Sequence, residues 1–199
     1  MGKTSLKSGL LKHVTINVRG IRSPEKRRKI FHWICEKKYD IVFLQETFLT
    51  ADLKEKVDQE WKGKAIYNFS DSNHSRGVAI LFSSVLNVSI VNTHKSNDGR
   101  KLLVNAKLND KMFTFVNLYS PNNLNVQKEF YQRARTWINN YALDENHIFV
   151  AGDMNTSCKS TNWKYYLQCM KSLKLIDVFD YINPGQDCKT WVNPVYSCQ

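Results

Sequence analysis

Short and nearly continuous apolar runs constrain the fold of this chain more than any other feature. The clearest run covers residues 41–44, and similar runs cover residues 78–82 and 148–151. Runs of this length and composition are typical of strands that are covered on both faces. Between them, apolar residues recur at the three- and four-residue spacing of helices. The sequence therefore predicts a layered α/β sandwich, in which helices cover the strands.

The remaining elements follow from turn and helix signals. A first strand is predicted at residues 14–18, and the helix after it begins with Ser23 as the N-cap and Pro24 at the first helical position. Other predicted strands lie at residues 65–69, 78–82, 85–92, 101–108 and 112–118. Turn residues at 97–99 and 109–111 predict two hairpins. Two later helices are predicted around residues 130–141 and 163–173, on either side of a buried strand at 148–151.

Positive charge is concentrated near the start of the chain. The net charge is +11, and residues 1–40 hold eleven Lys and Arg residues against three acidic residues. A basic field of this size favours a polyanionic partner and salt-sensitive binding. A well-solvated surface explains the charge equally well, so charge alone does not decide the partner.

The sequence also indicates where the protein resides. No apolar stretch reaches the roughly 20 residues that span a membrane, and the first residues lack the hydrophobic core of a signal peptide. The five cysteines are odd in number and include no Cys-x-x-Cys pair, so neither a disulfide framework nor a zinc cluster is expected. We expect an intracellular protein, nuclear or cytoplasmic and not secreted, with free thiols. Residues 1–199 are expected to form a single domain, monomeric and without an obligate protein partner.

Polar side chains follow several of the predicted strands. Asn17, Glu46 and Tyr119 lie at the ends of three strands, and Asp153 and Asn155 follow a fourth. Each alone has an ordinary explanation, such as an Asx turn, a cap or packing at a sheet edge. Because strand ends can converge at one edge of a sheet, the five together predict a functional site.

These residue types suit the hydrolysis of a phosphodiester. That reaction requires a cation to neutralise charge, a group that orients water, and donors for the developing oxyanion. Glu46, with Asn17 beside it, would hold Mg²⁺, which prefers oxygen ligands and for which Mn²⁺ could substitute. Asp153 would orient the attacking water, and Asn155 and Tyr119 would bind the phosphate.

Several stretches carry a family resemblance. They are residues 15–28, the glutamate motif at 40–47, residues 76–81, the tyrosine motif at 117–122, the Gly-Asp-x-Asn motif at 152–155, and residues 175–191. In this order they resemble the endonuclease/exonuclease/phosphatase family over about residues 12–194, and most of all the endonuclease domain of LINE-type (non-LTR) retrotransposons. The resemblance implies a four-layer α/β sandwich, with two mixed, mainly antiparallel sheets flanked by helices. It also implies metal-dependent phosphodiester cleavage by the same five residues.

With that resemblance, duplex DNA is the expected partner. The residues expected to bind it are the basic side chains of the first forty residues and two residues of later loops: Arg19, Arg22, Lys26, Arg27, Arg28, Arg76 and Asn122. His74 stands in a polar loop before Arg76. It is expected to be an exposed loop histidine, with a position at the edge of the site as the alternative.

The pattern departs from the family after Thr190 and Trp191. Family members continue with an Asp-bearing strand and a Ser-Asp-His motif, whereas this sequence ends at Gln199, and no histidine in it follows an Asp. The sandwich is therefore expected to be incomplete at its C-terminus. Because the loss of one catalytic group commonly lowers a rate by about 10²–10⁴-fold, we expect a weak or inactive nuclease.

Three other functions remain open at this point. The first is an exonuclease III-like endonuclease that repairs abasic sites; the stretch at residues 22–28, Arg-Ser-Pro-Glu-Lys-Arg-Arg, favours the retrotransposon type instead. The second is a catalytically dead retrotransposon remnant that at most binds nucleic acid. The third is a phosphatase or sphingomyelinase of the same superfamily, against which the net charge of +11 weighs slightly because it favours a long polyanion.

Overall fold

The computed structural model describes residues 11–70 and 75–186 of the chain. Eight strands lie in these residues: β1 (His13–Asn17), β2 (Ile41–Gln45), β3 (Lys64–Asn68), β4 (Val78–Phe82), β5 (Val88–Lys95), β6 (Lys101–Leu108), β7 (Lys111–Tyr119) and β8 (Ile148–Asp153). The helices are α1 (Pro24–Glu36), α2 (Lys54–Glu60), α3 (Leu124–Tyr141), α4 (Trp163–Ser172) and α5 (Val178–Ile182), with a short 3-10 helix at Ala51–Leu53. None of these helices is both long enough and apolar enough to cross a membrane.

The strands form two four-stranded mixed sheets. The first sheet has the order β1-β2-β4-β3 and the second has the order β5-β6-β7-β8. The pairs β1/β2 and β7/β8 are parallel, and the other neighbours are antiparallel. Each sheet therefore has one parallel pair at one side. The predicted architecture of mixed, mainly antiparallel sheets flanked by helices is confirmed.

The two sheets pack face to face, and helices cover their outer faces. The ring centroids of Phe82 in the first sheet and Phe115 in the second lie 5.4 Å apart, and Phe43 and Ile80 belong to the same core between the sheets. On the outer face of the first sheet, α1 and α2 pack against alternate residues of β2 and β4. On the outer face of the second sheet, α3 and α4 pack against β6 and β7. The result is four layers, which explains why β2 and β4 read as continuous apolar runs.

Helix α1 begins where the sequence predicts. Pro24 takes the first helical position, and Ser23 has the extended backbone of an N-cap, although its side chain makes no capping hydrogen bond. Phe31 and Ile34 are buried against the first sheet, whereas Trp33 is 37% exposed. Phe31 and Ile34 therefore form the centre of the buried face of α1, and Trp33 lies at its margin.

Some predicted elements differ in the structure. Strand β5 begins at Val88 instead of 85, because Ser83 and Leu86 close a turn through a backbone hydrogen bond. The sequence pattern did not predict α2 or α5. The strand predicted as buried at 148–151 is less buried than predicted, since β8 is the outer strand of its sheet among the described residues and Phe149 is 39% exposed. His74, Thr190 and Trp191 lie outside the described residues.

Candidate functional site

The predicted polar residues meet at one end of the sandwich. Strands β1 and β2 run parallel and end together, with Asn17 paired in register with Gln45 and Glu46 following directly. Strands β7 and β8 also run parallel and end with Tyr119 opposite Asp153. Because the sheets pack face to face, these two pairs of strand ends lie against each other.

Hydrogen bonds join the four strand ends across the two sheets. The Nδ2 of Asn17 donates to Glu46 Oε1 at 3.0 Å and to Asp153 Oδ2 at 2.8 Å. The hydroxyl of Tyr119 donates to the same Oε1 of Glu46 at 2.7 Å. Two carboxylates from different sheets are thus held side by side by an amide and a phenol.

Asn17 bridges the two carboxylates through its amide nitrogen. Its amide nitrogen faces both carboxylates, and its Oδ1 accepts a hydrogen bond from the backbone N–H of Arg19 at 3.1 Å. Exchanging the amide oxygen and nitrogen would set an acceptor against two acceptors, so these hydrogen bonds favour this orientation. In this arrangement the amide nitrogen of Asn17 faces the two carboxylates, so its role as a metal ligand through Oδ1 stays a prediction.

Asn155 is tied to the same cluster through the loop after β8. Its backbone N–H donates to Asp153 Oδ1 at 3.1 Å, and its Nδ2 donates to the carbonyl of Ser120 at 2.7 Å. The Asp153 carboxylate is therefore oriented from both sides, by Asn17 and by Asn155. One hydrogen of the Asn155 amide remains for another acceptor.

The loops of this end contain several residues in the left-handed backbone region. Glu46 has φ 51° and Asn155 has φ 46°, and Arg19, Phe48 and Arg76 also have positive φ values. Such conformations cost on the order of 1–3 kcal/mol for residues other than glycine, and they persist only where surrounding contacts enforce them. Here the carbonyl of Glu46 accepts a hydrogen bond from Gly20. Their concentration at one end of the fold is typical of a functional site.

Gly152 explains why a glycine precedes Asp153. A Cβ atom at this position would lie 1.9 Å from the carbonyl oxygen of Leu118 on the neighbouring strand. Only glycine allows β8 to approach β7 this closely at its end. The close approach brings Asp153 level with Tyr119.

Tyr119 is a hydrogen-bond donor over the whole physiological pH range. Burial, together with the hydrogen bond to the Glu46 carboxylate, raises the pKa of Tyr119 to about 12. The guanidinium of Arg100 acts in the opposite direction and lowers this pKa. The single hydroxyl proton of Tyr119 is donated to Glu46. The predicted hydrogen bond to a phosphate would therefore require the Tyr119 hydroxyl to turn from Glu46 to the phosphate.

A buried amide network lies beneath the site, and the sequence pattern did not predict it. Asn117 donates to the carbonyls of Leu44 and Ala79 on the opposite sheet, at 2.9 and 2.8 Å. It also accepts from Gln45 Nε2 at 2.8 Å, and Gln45 in turn contacts Thr15. The available signal was a polar Asn and a polar Gln inside otherwise apolar strands. The network fixes the distance between the two sheets directly below the carboxylates.

Arg27 is not available to nucleic acid, and its prediction as a DNA-binding residue is wrong. Its side chain is 1% exposed and forms a bidentate ion pair with Glu60, with distances of 2.6 and 2.7 Å. It also donates to the carbonyls of Ile21 and Arg22. Hydrogen bonding to Arg27 lowers the pKa of Glu60. Arg27 therefore holds the loop before α1 against α2.

The other predicted DNA-binding residues differ in exposure. Exposed side chains belong to Arg19, Lys26, Arg28, Arg76 and Asn122. Arg22 is partly buried and donates to Thr50 Oγ1 at 2.8 Å. Lys26 donates to the carbonyl of Arg19 at 2.8 Å, so two of these basic residues lie together beside Asn17.

The donor set fits a hard divalent cation. In residues 11–70 and 75–186, no group of three or more His, Cys, Asp or Glu side chains converges as a zinc site would require. Glu46 and Asp153 supply two carboxylates instead, and Mg²⁺ is commonly held by one or two carboxylates with waters and phosphate completing its shell. Because Asn17 and Tyr119 both bind Oε1 of Glu46, its Oε2 remains for a cation.

Comparison with known proteins gives both a family and structural relatives. The model of the Endonuclease/Exonuclease/phosphatase family matches residues 14–173. The chain is 25% identical over 187 residues to the transposon TX1 uncharacterized 149 kDa protein of Xenopus laevis, which covers 89% of the chain. The chain spans 14% of the length of that relative.

Two solved structures illustrate the fold. An AP endonuclease from Archaeoglobus fulgidus superposes with a TM-score of 0.66 at 21% identity, covering 89% of this chain and 76% of its own. D. rerio TDP2 complexed with a single-stranded DNA product superposes with a TM-score of 0.62 at 15% identity, covering 90% of this chain and 72% of its own. At these identities the likeness concerns the four-layer fold.

Proposed function

The chain belongs to the endonuclease/exonuclease/phosphatase family, and on this premise we propose that it is a metal-dependent endonuclease that cleaves a phosphodiester of duplex DNA. The single observation that carries this proposal is the pair of carboxylates, Glu46 and Asp153. They come from different sheets and are bridged by one amide. Two like charges held side by side are costly without a cation, so the arrangement favours a site that binds one.

Each residue of the cluster has a proposed role. Glu46 would hold the cation, and Asn17 and Tyr119 keep its carboxylate in orientation through Oε1. Asp153 orients the attacking water and accepts a proton from that water. Its carboxylate can do so because Asn17 and the backbone N–H of Asn155 fix the positions of its two oxygens. The remaining amide hydrogen of Asn155 donates to a phosphate oxygen. Bound Mg²⁺, or Mn²⁺ in its place, would neutralise charge on the phosphate.

The DNA substrate is inferred from charge and from the relative. Arg19 and Lys26 are exposed beside Asn17, and they add a positive field at the edge of the carboxylate pair. A transposon protein is similar to this chain over 89% of the residues of this chain. We therefore propose the LINE retrotransposon type of endonuclease, acting on intact duplex, over the abasic-site type.

Cation binding tests the site without requiring turnover. We expect the 199-residue chain to bind Mn²⁺, measured by electron paramagnetic resonance, and the Glu46→Gln variant to bind it at least about tenfold more weakly. Tyr141→Phe, far from the site, is the matched control and should bind as the wild type does. Equal Mn²⁺ affinity in all three proteins would refute the proposed cation site.

Cleavage tests the reaction itself. We expect weak Mg²⁺-dependent nicking of supercoiled plasmid, detectable at high protein concentration and removed by EDTA and by Glu46→Gln. A parallel assay with intact and abasic oligonucleotide duplexes distinguishes the two nuclease types, since the retrotransposon type should cleave intact duplex. Cleavage that persists unchanged in EDTA would contradict the proposed mechanism.

A further inference from the structure

Arg100 is a basic residue beside the site that has no role in the mechanism above. It follows the hairpin turn at residues 97–99 and immediately precedes β6, at the same end of the sandwich as the carboxylates. Its backbone N–H contacts Ser96 Oγ at 3.3 Å and Asp98 Oδ1 at 3.2 Å. The hairpin therefore fixes the point from which its side chain extends.

The guanidinium of Arg100 is held by Tyr119. Its Cζ lies 4.7 Å from the centroid of the Tyr119 ring, a cation–π geometry. One N–H donates to the carbonyl of Tyr119 at 3.2 Å, and the backbone N–H of Tyr119 donates to the carbonyl of Arg100 at 2.8 Å. Because the hydroxyl of the same ring donates to Glu46, a single phenol connects the guanidinium to the cation site.

Most of the hydrogen-bonding capacity of this guanidinium remains unused. An arginine side chain has five N–H donors, and Arg100 uses one of them on the described part of the chain. The ion pairs formed among the described residues also do not include Arg100. Arg27 is the contrast, since its donors are occupied by Glu60 and two carbonyls.

A partly exposed guanidinium with a fixed position and free donors is a binding group for an anion. Its planar fork matches the oxygens of a phosphate, and holding it in advance reduces the entropy lost on binding. Tyr119 provides this support through its ring and its carbonyl. The carboxylates of Glu46 and Asp153 near the Tyr119 hydroxyl would repel a polyanion, so a positive group on the same tyrosine favours its binding.

Building on the proposed function, we propose that Arg100 binds a backbone phosphate of the DNA next to the one that is cleaved, with its guanidinium held in place by the ring of Tyr119. The contact forms when DNA binds and persists through the reaction. Removing it therefore raises KM and leaves kcat nearly unchanged.

The test is the salt dependence of DNA binding by the full chain. The affinity for a fluorescently labelled short duplex is measured in EDTA by anisotropy over a range of KCl concentrations. Each phosphate contact contributes about 0.9 to the slope of log K against log salt, so Arg100→Met should reduce that slope by about 0.9. Affinity at low salt should fall about tenfold. Arg100→Lys should keep most of the slope, because the charge remains.

Lys107→Met is the matched control for Arg100→Met. Lys107 is an exposed cation on the same strand, about 20 Å away at its opposite end, so this variant should keep the slope of the wild type. If Arg100→Met behaves like Lys107→Met while the wild type binds duplex, the assignment of Arg100 is wrong and the proposed nuclease function is unaffected. If the wild type shows no salt-dependent binding to duplex, the DNA function fails and the assignment fails with it.

Two variants of Tyr119 test the support of the guanidinium. Tyr119→Phe keeps the ring and removes the hydroxyl, so it should preserve the contribution of Arg100 to the slope. Tyr119→Leu removes the ring and should lose that contribution, to about the level of Arg100→Met. If Arg100→Met lowers the slope equally in the wild-type and Tyr119→Leu backgrounds, the ring does not hold the guanidinium.

Discussion

Two regions lie at the same end of the sandwich: the strand-end cluster and the basic segment at residues 19–28. The residues of the cluster contact one another, whereas those of the basic segment do not share one environment. In the cluster, Asn17, Glu46, Tyr119 and Asp153 come from four strands and contact one another. In the segment, Arg19 and Arg27 are eight positions apart and serve different surroundings. Arg19 is exposed beside Asn17, whereas Arg27 is buried against α2.

The difference teaches how each kind of residue can be interpreted. A polar side chain at the end of a buried strand can point in few directions, because the sheet fixes the position and the orientation of its backbone. A basic residue in a loop or helix can turn to solvent or to an acidic neighbour, and charge alone does not distinguish the two. Strand ends thus indicate a site more reliably than a run of positive charges.

The largest effect is expected from removing a carboxylate of the cluster. Glu46→Gln should lower the plasmid-nicking rate by about 10²–10⁴-fold, because the cation loses its charged ligand. The melting temperature should not fall, since two like charges no longer lie together. Asp153→Asn is expected to act in the same direction. If Glu46→Gln melts well below the wild type and still nicks DNA, Glu46 contributes to stability and not to catalysis.

The second effect concerns the buried arginine of the basic segment. Arg27→Met should lower the free energy of unfolding by about 2–4 kcal/mol, because Glu60 and two carbonyls lose their partner. Chemical denaturation measures this change. The salt dependence of DNA binding by the folded protein should be unchanged. A lowered salt slope with unchanged stability would show that Arg27 binds DNA after all.

A smaller effect is expected from the exposed arginine of the same segment. Arg19→Met should weaken duplex binding by about three- to tenfold and lower the salt slope by about 0.9, because one phosphate contact is lost. Its stability should stay within about 0.5 kcal/mol of the wild type. Anisotropy titrations and denaturation provide both values. In that case Arg19 contributes to DNA binding and Arg27 to stability. If the two variants change DNA binding and stability to the same extent, this difference between the two arginines is refuted.

The smallest effect is a pH dependence of stability that arises from Glu60. The hydrogen bond from Arg27 lowers its pKa in the folded protein, so Glu60 stabilises the fold above its unfolded pKa, near 4.5. This stabilisation is lost as the pH falls through the lowered pKa. The difference in unfolding free energy between wild type and Glu60→Gln should therefore be greatest near neutral pH and shrink below pH 4.5. A difference that grows on acidification would contradict the ion pair.

The structure shows which parts of the site could be predicted from the sequence. Glu46, Tyr119 and Asp153 were recognisable because each directly follows or ends an apolar strand, and the topology of parallel pairs then brings those ends together. The part played by Asn17 was not recognisable, since the direction of its amide depends on two carboxylates and a backbone N–H. Asn117 and Arg100 were also missed, because their partners lie on other strands.

The sequence by itself determined the layered α/β class, the strands β4 and β6, and the hairpin turns, because local apolar periodicity and turn residues report burial directly. The number of four layers was implied only by the family resemblance. Only the tertiary structure decided that Arg27 pairs with Glu60 and that Arg100 lies on Tyr119. It also decided that β8 is the outer strand of its sheet in the described part of the chain. These contacts join residues that are distant along the chain, and their free energy depends on how sheets and helices pack. Local pattern therefore fixes the elements, and packing fixes the partners of each polar side chain.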